Sequence, residues 1–132
     1  MSRIINIAAA IAGVILGGLF IMAAVVVLLN LVKDGPVPPE GSPAAAFMAA
    51  FGPTGYLKFV KVLELVGGLL VLIPKTRNFG LLILGPILVN ILAYHVFIEN
   101  GAGLLDPMLV LIVASAAFLL WVERKAFLSL LK

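Results

Sequence analysis

Polar residues that could carry chemistry lie inside two neighbouring apolar segments of the chain. Lys61 and Glu64 are three residues apart in the first of these segments, and Asn90, Tyr94 and His95 lie in the second. A charge near the centre of a bilayer costs about 2.5–3.5 kcal/mol on insertion scales, so ionisable residues there normally face the protein interior and mark functional sites. Residues three apart share a helix face. The spacing therefore predicts a Lys61–Glu64 ion pair, with Asn90 as a further donor to it.

Together these residues predict a ligand pocket between the two helices. Lys61, Tyr94 and His95 would donate hydrogen bonds, and the Glu64 carboxylate could take up a proton. A structural interpretation fits the same residues: the ion pair joins helices, Tyr94 belongs to an aromatic belt, and His95 is satisfied by headgroups and water. Both interpretations stay open at the level of sequence.

The chain offers little to bind a metal or a redox cofactor. It contains no cysteine and one histidine, His95. One chain therefore cannot hold an iron–sulfur cluster by thiolates, nor supply two haem histidines or a multi-histidine metal site. We expect no metal and no intrinsic cofactor, and no motif identifies an independent catalytic activity.

The apolar segments that contain these residues dominate the composition. Hydrophobic residues make up 64% of the 132 positions and charged residues 11%, whereas an ordinary soluble domain carries about 25% charged residues. A transmembrane helix needs about 20 apolar residues. We therefore predict an all-α fold, a polytopic membrane protein with a single domain over residues 1–132. The antiparallel four-helix transmembrane bundle is predicted to have spans at about 4–32, 55–73, 79–98 and 107–122.

A short interfacial helix is predicted in the first external loop. Ser42 as the cap and Pro43 as the first residue favour a helix that runs to Phe51 and ends at Gly52. Phe47 and Phe51 share one face, so this helix lies on the bilayer surface or caps the bundle. An ordinary packed loop helix is an equally open interpretation. The first span before this loop exceeds the about 7–15 apolar residues of a secretory signal, which predicts a retained anchor.

Small residues and a short turn predict how the spans pack. Ala9, Gly13 and Gly17 recur at four-residue spacing in the first span, and Gly67 and Gly68 lie in the second. Such residues let helix backbones approach closely in lipid. The turn at 74–78 is so short that the second and third spans are predicted to be antiparallel neighbours.

Basic residues near the span ends predict the orientation. One side carries Arg3, Lys75, Arg77, Arg124, Lys125 and Lys132. The other carries Lys33, with Lys58 and Lys61 inside a helix, together with the acidic Asp34, Glu40, Glu99 and Asp106. The positive-inside rule then places both termini in the cytoplasm, in a multi-pass protein of the cell inner (plasma) membrane. The expected surroundings are membrane lipid, and the basic residues do not indicate a nucleic-acid partner.

The second and third spans resemble the DoxX family of small four-span membrane proteins. The resemblance is carried by Gly55-Tyr56-Leu57-Lys58, by Lys61 and Glu64 before Gly67-Gly68-Leu69-Leu70, and by Leu84-Gly85-Pro86 with Asn90-Ile91 and His95. It covers roughly a third of the chain. It implies a four-helix membrane protein associated with membrane oxidoreductase assemblies and quinone-linked pathways. The positions it marks are Lys61, Glu64, Pro86, Asn90 and His95.

Three functions follow as hypotheses. The first is a membrane subunit that binds a quinone or lipid-like molecule between the second and third spans, beside a redox partner protein, because a quinone needs an apolar slot with donors to its carbonyls. The second is a small proton-coupled transporter, a homo-oligomer, that uses Glu64 as its membrane carboxylate. Against it, only Pro86 interrupts a span, whereas transporters show broken or repeated segments. The third is a purely structural membrane subunit.

Overall fold

The computed structural model describes residues 2–32 and 35–132. Lys33 and Asp34, which the orientation argument used, lie outside the described residues. Within them the protein is all-helical, with no strand. The helices are α1 (Arg3–Leu28), α2 (Pro43–Phe51), α3 (Tyr56–Leu72), α4 (Arg77–Ala93), α5 (Pro107–Val122) and α6 (Arg124–Leu128), and a π-helical turn, Tyr94–Ile98, continues α4. The predicted all-α fold is confirmed.

The largest boundary difference is at the end of α1, which stops at Leu28 and not at residue 32. Asn30 adopts a left-handed conformation with φ 52°. The Leu31 amide donates to the Val26 carbonyl at 2.9 Å, and the Asn30 amide donates to Val27 at 3.2 Å. This pair of bonds is a Schellman motif, which satisfies the last carbonyls of a helix. The apolar run continues past Asn30, but the helix does not.

The short helix α2 has the predicted bounds and the predicted cap. The Ser42 hydroxyl accepts a hydrogen bond from the Ala45 amide at 3.2 Å, and Pro43 occupies the first turn. α5 begins in the same way, since the Asp106 carboxylate accepts from the Met108 amide at 2.9 Å and Pro107 follows it. Both helices begin where a side-chain acceptor precedes a proline, the residue best suited to the first helical position.

The four long helices form an antiparallel bundle around α1. α1 packs against α3 on one side and α5 on the other, α4 packs against α3, and α4 touches α5 only lightly. The predicted pairing of the second and third spans, α3 and α4, is therefore confirmed. The antiparallel arrangement brings the start of α1, the α3–α4 turn and the end of α5 to one end of the molecule. We call this the basic end, because Arg3, Lys75, Arg77, Arg124 and Lys125 lie there.

Glycines set the closest contacts between these helices. A Cβ atom added at Gly17 would lie 2.6 Å from the carbonyl oxygen of Gly68, so α1 and α3 touch backbone to backbone. Where α3 faces α4, a Cβ at Gly67 would lie 2.7 Å from the Leu84 side chain. The predicted small-residue packing is confirmed at Gly17, Gly67 and Gly68, and Gly13 also faces α3 next to Val71. α3 is thus fixed between its two neighbours.

Large apolar side chains cover the outward faces of the bundle. Ile7, Ile11 and Val14 of α1 and Phe79 and Val89 of α4 are all more than half exposed. Two helical segments, Arg3–Leu28 and Arg77–Ile98, are long and apolar enough to cross a membrane by length and composition, and α5 is a shorter apolar helix. A monomeric soluble protein rarely exposes so continuous an apolar surface.

The glycine contact between α1 and α3 predicts opposite effects of two adjacent substitutions. Gly17→Ala should destabilise the protein by about 1–3 kcal/mol, because its methyl group would overlap the Gly68 carbonyl and force the helices apart. Gly18→Ala should be neutral or stabilising by up to about 1 kcal/mol, since alanine is the better helix former and no atom lies within 4 Å of its Cβ. Circular dichroism during SDS titration in mild detergent measures both. Equal effects at the two positions would show that the close contact is not made.

Candidate functional site

The predicted ion pair is present and lies inside the bundle. The Lys61 ammonium nitrogen is 2.9 Å from Oε2 of Glu64. The Glu64 side chain is 3% exposed and that of Lys61 is 26% exposed. A buried carboxylate is tolerated where a cation and hydrogen bonds compensate the loss of water. Lys61 supplies one such bond.

A groove between α3 and α4 ends at this ion pair. Its volume is about 690 Å³. The walls are mainly apolar, and they include Val60 and Leu63 of α3 and Ile87 and Ala93 of α4. Lys61, Glu64, Asn90 and Tyr94 also line it. An apolar groove with a few polar groups on its walls suits a ligand with an apolar body and a polar head.

Aromatic rings of α2 cover one end of this groove. The ring centroids of Phe47 and Phe51 are 4.7 Å apart, and Phe47 lies 4.9 Å from the ring of Tyr94. Phe51 lies 4.9 Å from the ring of Tyr56, the first residue of α3. Edge and offset ring contacts at such distances are favourable. These contacts favour the interpretation in which α2 caps the bundle over the one in which it lies on the bilayer surface.

Asn90 has a different partner from the one expected. Its side-chain amide donates to the carbonyl oxygen of Pro86 at 2.8 Å, one turn earlier on the same helix. Asparagine commonly competes for nearby backbone groups in this way. Asn90 is exposed toward the groove, so it lines the candidate site without joining the Lys61–Glu64 pair.

His95 lies on the π-helical turn, which the sequence did not predict. Its Nδ1 atom is 2.9 Å from Oε2 of Glu99 and 2.9 Å from the carbonyl oxygen of Ala102. Both partners are hydrogen-bond acceptors, so Nδ1 must carry the proton, and Nε2 is left to other partners. Gly103 packs against this ring, since a Cβ there would lie 3.0 Å from Nδ1. The glycines at 101 and 103, both with positive φ, were the available signal for this tight turn.

A second cavity lies among the long helices, on the other side of the ion pair from the groove, and it is open to the outside, as the groove is. Its volume is about 260 Å³, and all four long helices or their ends contribute to its lining: Phe20, Ala23, Lys61, Glu64, Ile91, His95, Gly103, Asp106, Met108, Leu109 and Ile112. We call it the interior cavity. Lys61 and Glu64 line both the groove and the interior cavity. The predicted site residues are thus divided: Asn90 and Tyr94 face the groove, and His95 faces the interior cavity.

A further polar cluster joins three elements at the basic end. The guanidinium of Arg77 is 3.6 Å from Oε1 of Glu123, and the Asn78 amide is 3.5 Å from Oε2 of the same carboxylate. Arg77 is 6% exposed and packs beside Gly13 of α1. Arg77 is one of the basic residues from which the cytoplasmic side is predicted. In the structure its side chain is buried. Glu123 compensates its charge, and Gly13, which has no side chain, leaves space for the guanidinium.

Fold and site together define an all-helical protein with an apolar groove that ends at a buried ion pair. No family model matches the chain, and no solved structure matches it. The curated relative "Uncharacterized protein YwoB" of Bacillus subtilis (strain 168) is 31% identical over 104 residues, which cover 74% of this chain and 66% of that protein. The chain thus spans just under two thirds of the length of this relative. The relative's name assigns no activity.

The ion pair predicts a non-additive double-mutant cycle. Lys61→Met should destabilise the protein by about 3 kcal/mol, because it leaves the Glu64 carboxylate buried without its cation. Adding Glu64→Gln to Lys61→Met should recover a large part of that loss, since the buried charge is then removed. Lys58→Met is the control, because Lys58 lies one turn earlier and is exposed. SDS titration measures the two single variants Lys61→Met and Glu64→Gln, the double variant and the control, so that the coupling of the two substitutions can be calculated. Additive effects of the two substitutions would contradict a coupled pair.

The cluster at the basic end predicts a cost for removing its carboxylate. Glu123→Ala should lower the free energy of unfolding by about 1–3 kcal/mol, because Arg77 would keep its charge with no acid beside it. Glu40→Ala, at an exposed acidic residue of the α1–α2 loop, should have little effect. Thermal unfolding in the same detergent compares the two. If Glu123→Ala lowers the stability no more than Glu40→Ala does, water and not Glu123 satisfies the Arg77 guanidinium.

Proposed function

We propose that the chain is a multi-pass membrane protein in which α1, α3, α4 with its π-helical turn, and α5 each cross the bilayer. The apolar side chains on the outward faces support this, because lipid is the solvent that such a surface fits. α3 and α5 contain 17 and 16 residues, so each is only about 25 Å long at 1.5 Å per residue. Spans of this length match a bilayer that thins locally around them.

The proposed orientation has both termini in the cytoplasm of a cell whose inner (plasma) membrane holds the protein. It is supported by the gathering of Arg3, Lys75, Arg124 and Lys125 at the basic end, since basic residues flank spans on the cytoplasmic side. Glu99 and Asp106 lie at the opposite end, near the π-helical turn and the α4–α5 loop. We call this opposite end the outer end.

The proposed function is to bind a lipid-soluble molecule with a polar head, of the quinone class, in the groove between α3 and α4. One observation carries this: an apolar groove of about 690 Å³ ends at a buried Lys61–Glu64 pair. Sites for small molecules are commonly about 300–1,000 Å³ and mainly apolar, with a few polar groups that orient the ligand. The Lys61 ammonium carries three hydrogens, so it can donate to a ligand carbonyl and keep its bond to Glu64. Tyr94 places an aromatic ring and a hydroxyl group on the same groove wall.

A redox partner protein or a second copy of the chain completes the proposal. The sequence offers no cysteine and one histidine for an electron carrier, so electrons for a bound quinone would come from another protein. The resemblance to the DoxX family, carried by Lys61, Glu64 and His95, adds the class of that partner, a membrane oxidoreductase. In this proposal the chain holds the lipid-soluble molecule, and the partner performs the electron transfer.

Co-purification tests the groove. Ala93 lines the groove, and Ala93→Phe should fill part of it, so the variant should lose bound quinone when the protein is extracted in mild detergent with native lipids and analysed by mass spectrometry. Ala10→Phe is the matched control, because Ala10 is exposed on α1 and lines neither cavity. The control should bind as the unchanged protein does. Loss of quinone from both variants, or no quinone in the unchanged protein, would overturn the assignment.

The double variant Lys61→Met, Glu64→Gln tests the polar end of the groove. It keeps the apolar walls but removes the ammonium donor, so it should bind a quinone more weakly than the unchanged protein, by about tenfold for the loss of one hydrogen bond to a charged group. Titration with a short-chain quinone in detergent measures the affinity of both proteins. Equal affinities would place the quinone carbonyls elsewhere.

A further inference from the structure

The interior cavity differs from the groove in its lining and in where it leads. Its polar lining runs from the α4–α5 loop into the bundle: Asp106 and Gly103 are exposed, the His95 side chain is 23% exposed, and Glu64 is 3% exposed. The cavity therefore begins at the outer end and reaches the ion pair. α1 contributes Phe20 and Ala23 to it, which cannot titrate.

The Glu64 carboxylate uses one of its two oxygens in the ion pair with Lys61. Lys61 is the hydrogen-bond partner that the described residues give it, and that bond is to Oε2. Oε1 has no hydrogen-bond partner among the described residues and is not one of their fully buried unpaired atoms, so it is accessible to water or to a ligand in an adjoining cavity. The interior cavity has the room for this, since about 260 Å³ compares with about 30 Å³ for each water molecule in the liquid.

His95 is oriented to take part in such a water-filled path. Its Nδ1 hydrogen is held by Glu99 and by the carbonyl of Ala102. This leaves Nε2, the atom that accepts a proton in the neutral imidazole, for water in the cavity that the ring lines.

We infer that the interior cavity is a hydrated proton-access path from the outer end to the Lys61–Glu64 pair. The titratable groups along it are Asp106, His95 with Glu99 behind it, Lys61 and Glu64. Because the pair also lines the groove, a proton that it gives to a molecule in the groove is replaced through the interior cavity. The use of that proton rests on the groove site proposed above, whereas the path itself can be tested without a ligand.

The absence of cysteine from the sequence allows a direct test with single-cysteine variants. Ile112→Cys places a thiol in the interior cavity, and Leu84→Cys places one in the core at a residue that is 2% exposed and lines neither cavity. A small, charged, membrane-impermeant thiosulfonate reacts with thiolate, which forms in water. We expect Ile112→Cys to be labelled at least about ten times faster than Leu84→Cys. Equal, slow labelling of both in folded protein would overturn the path.

The side from which the path opens is measured in sealed proteoliposomes. Asn100→Cys reports the outer end, and Lys75→Cys reports the basic end. The fraction of Ile112→Cys labelled from outside the vesicles should equal that of Asn100→Cys, whichever way the protein inserts. A fraction equal to that of Lys75→Cys would overturn the proposed opening. The result does not depend on the orientation in the cell or on a bound quinone, so the groove could fail its own test while the path passes this one.

A carbodiimide tests whether protons reach Glu64, because it modifies the protonated carboxyl group. In vesicles with different pH on the two sides, modification of Glu64, mapped by mass spectrometry, should rise when the pH is lowered at the outer end and not at the basic end. Ala23→Leu, which narrows the interior cavity, should slow this response about tenfold, while Ala10→Leu on the exposed face of α1 should not. Modification that ignores the pH at the outer end would overturn the inference.

Discussion

The backbone contact between Gly17 of α1 and Gly68 of α3 is the constraint on which the site depends. Glu64 lies four residues before Gly68 and three before Gly67, so all three residues share the buried face of α3. At the glycines this face is in direct contact with α1 and α4. One turn earlier in the chain, nearer the outer end, the same face carries the carboxylate of Glu64 and the ammonium group of Lys61. The helices cannot stay in backbone contact around these larger side chains, and the groove and the interior cavity lie on either side of them.

Local features of the fold could be predicted from the sequence. The α2 helix depends on Ser42, Pro43 and Gly52, which act within a few residues of their own positions, and the Lys61–Glu64 pair depends on a three-residue spacing. The end of α1 could have been predicted from Asn30, because asparagine accepts the left-handed conformation that ends a helix. The predicted span instead extends to residue 32, because Leu31 and Val32 continue the apolar run beyond Asn30.

Features that depend on distant contacts could not be predicted in this way. Arg77 and Glu123 are brought together by the antiparallel bundle, and neither position reveals the other in a single sequence. The division of the candidate residues between two cavities is of the same kind. Tyr94 and His95 are adjacent in the chain and line different cavities, since consecutive residues on a helix point about 100° apart. Which cavity a side chain faces depends on the rotation of α4 relative to α3 and α5, and only packing fixes that rotation.

The π-helical turn limits which sequence changes this site can tolerate during evolution. A hydrogen bond from residue i to residue i+5 closes over one more residue than the bond of an ordinary α-helix. His95 therefore meets Glu99 and Ala102 because of the number of residues between α4 and the loop, as well as because of their types. Loss of a single residue in 96–98 could restore a regular helix and turn the imidazole away, even though every named side chain of the site survived. In this segment a change of length alters the site more than most changes of residue would.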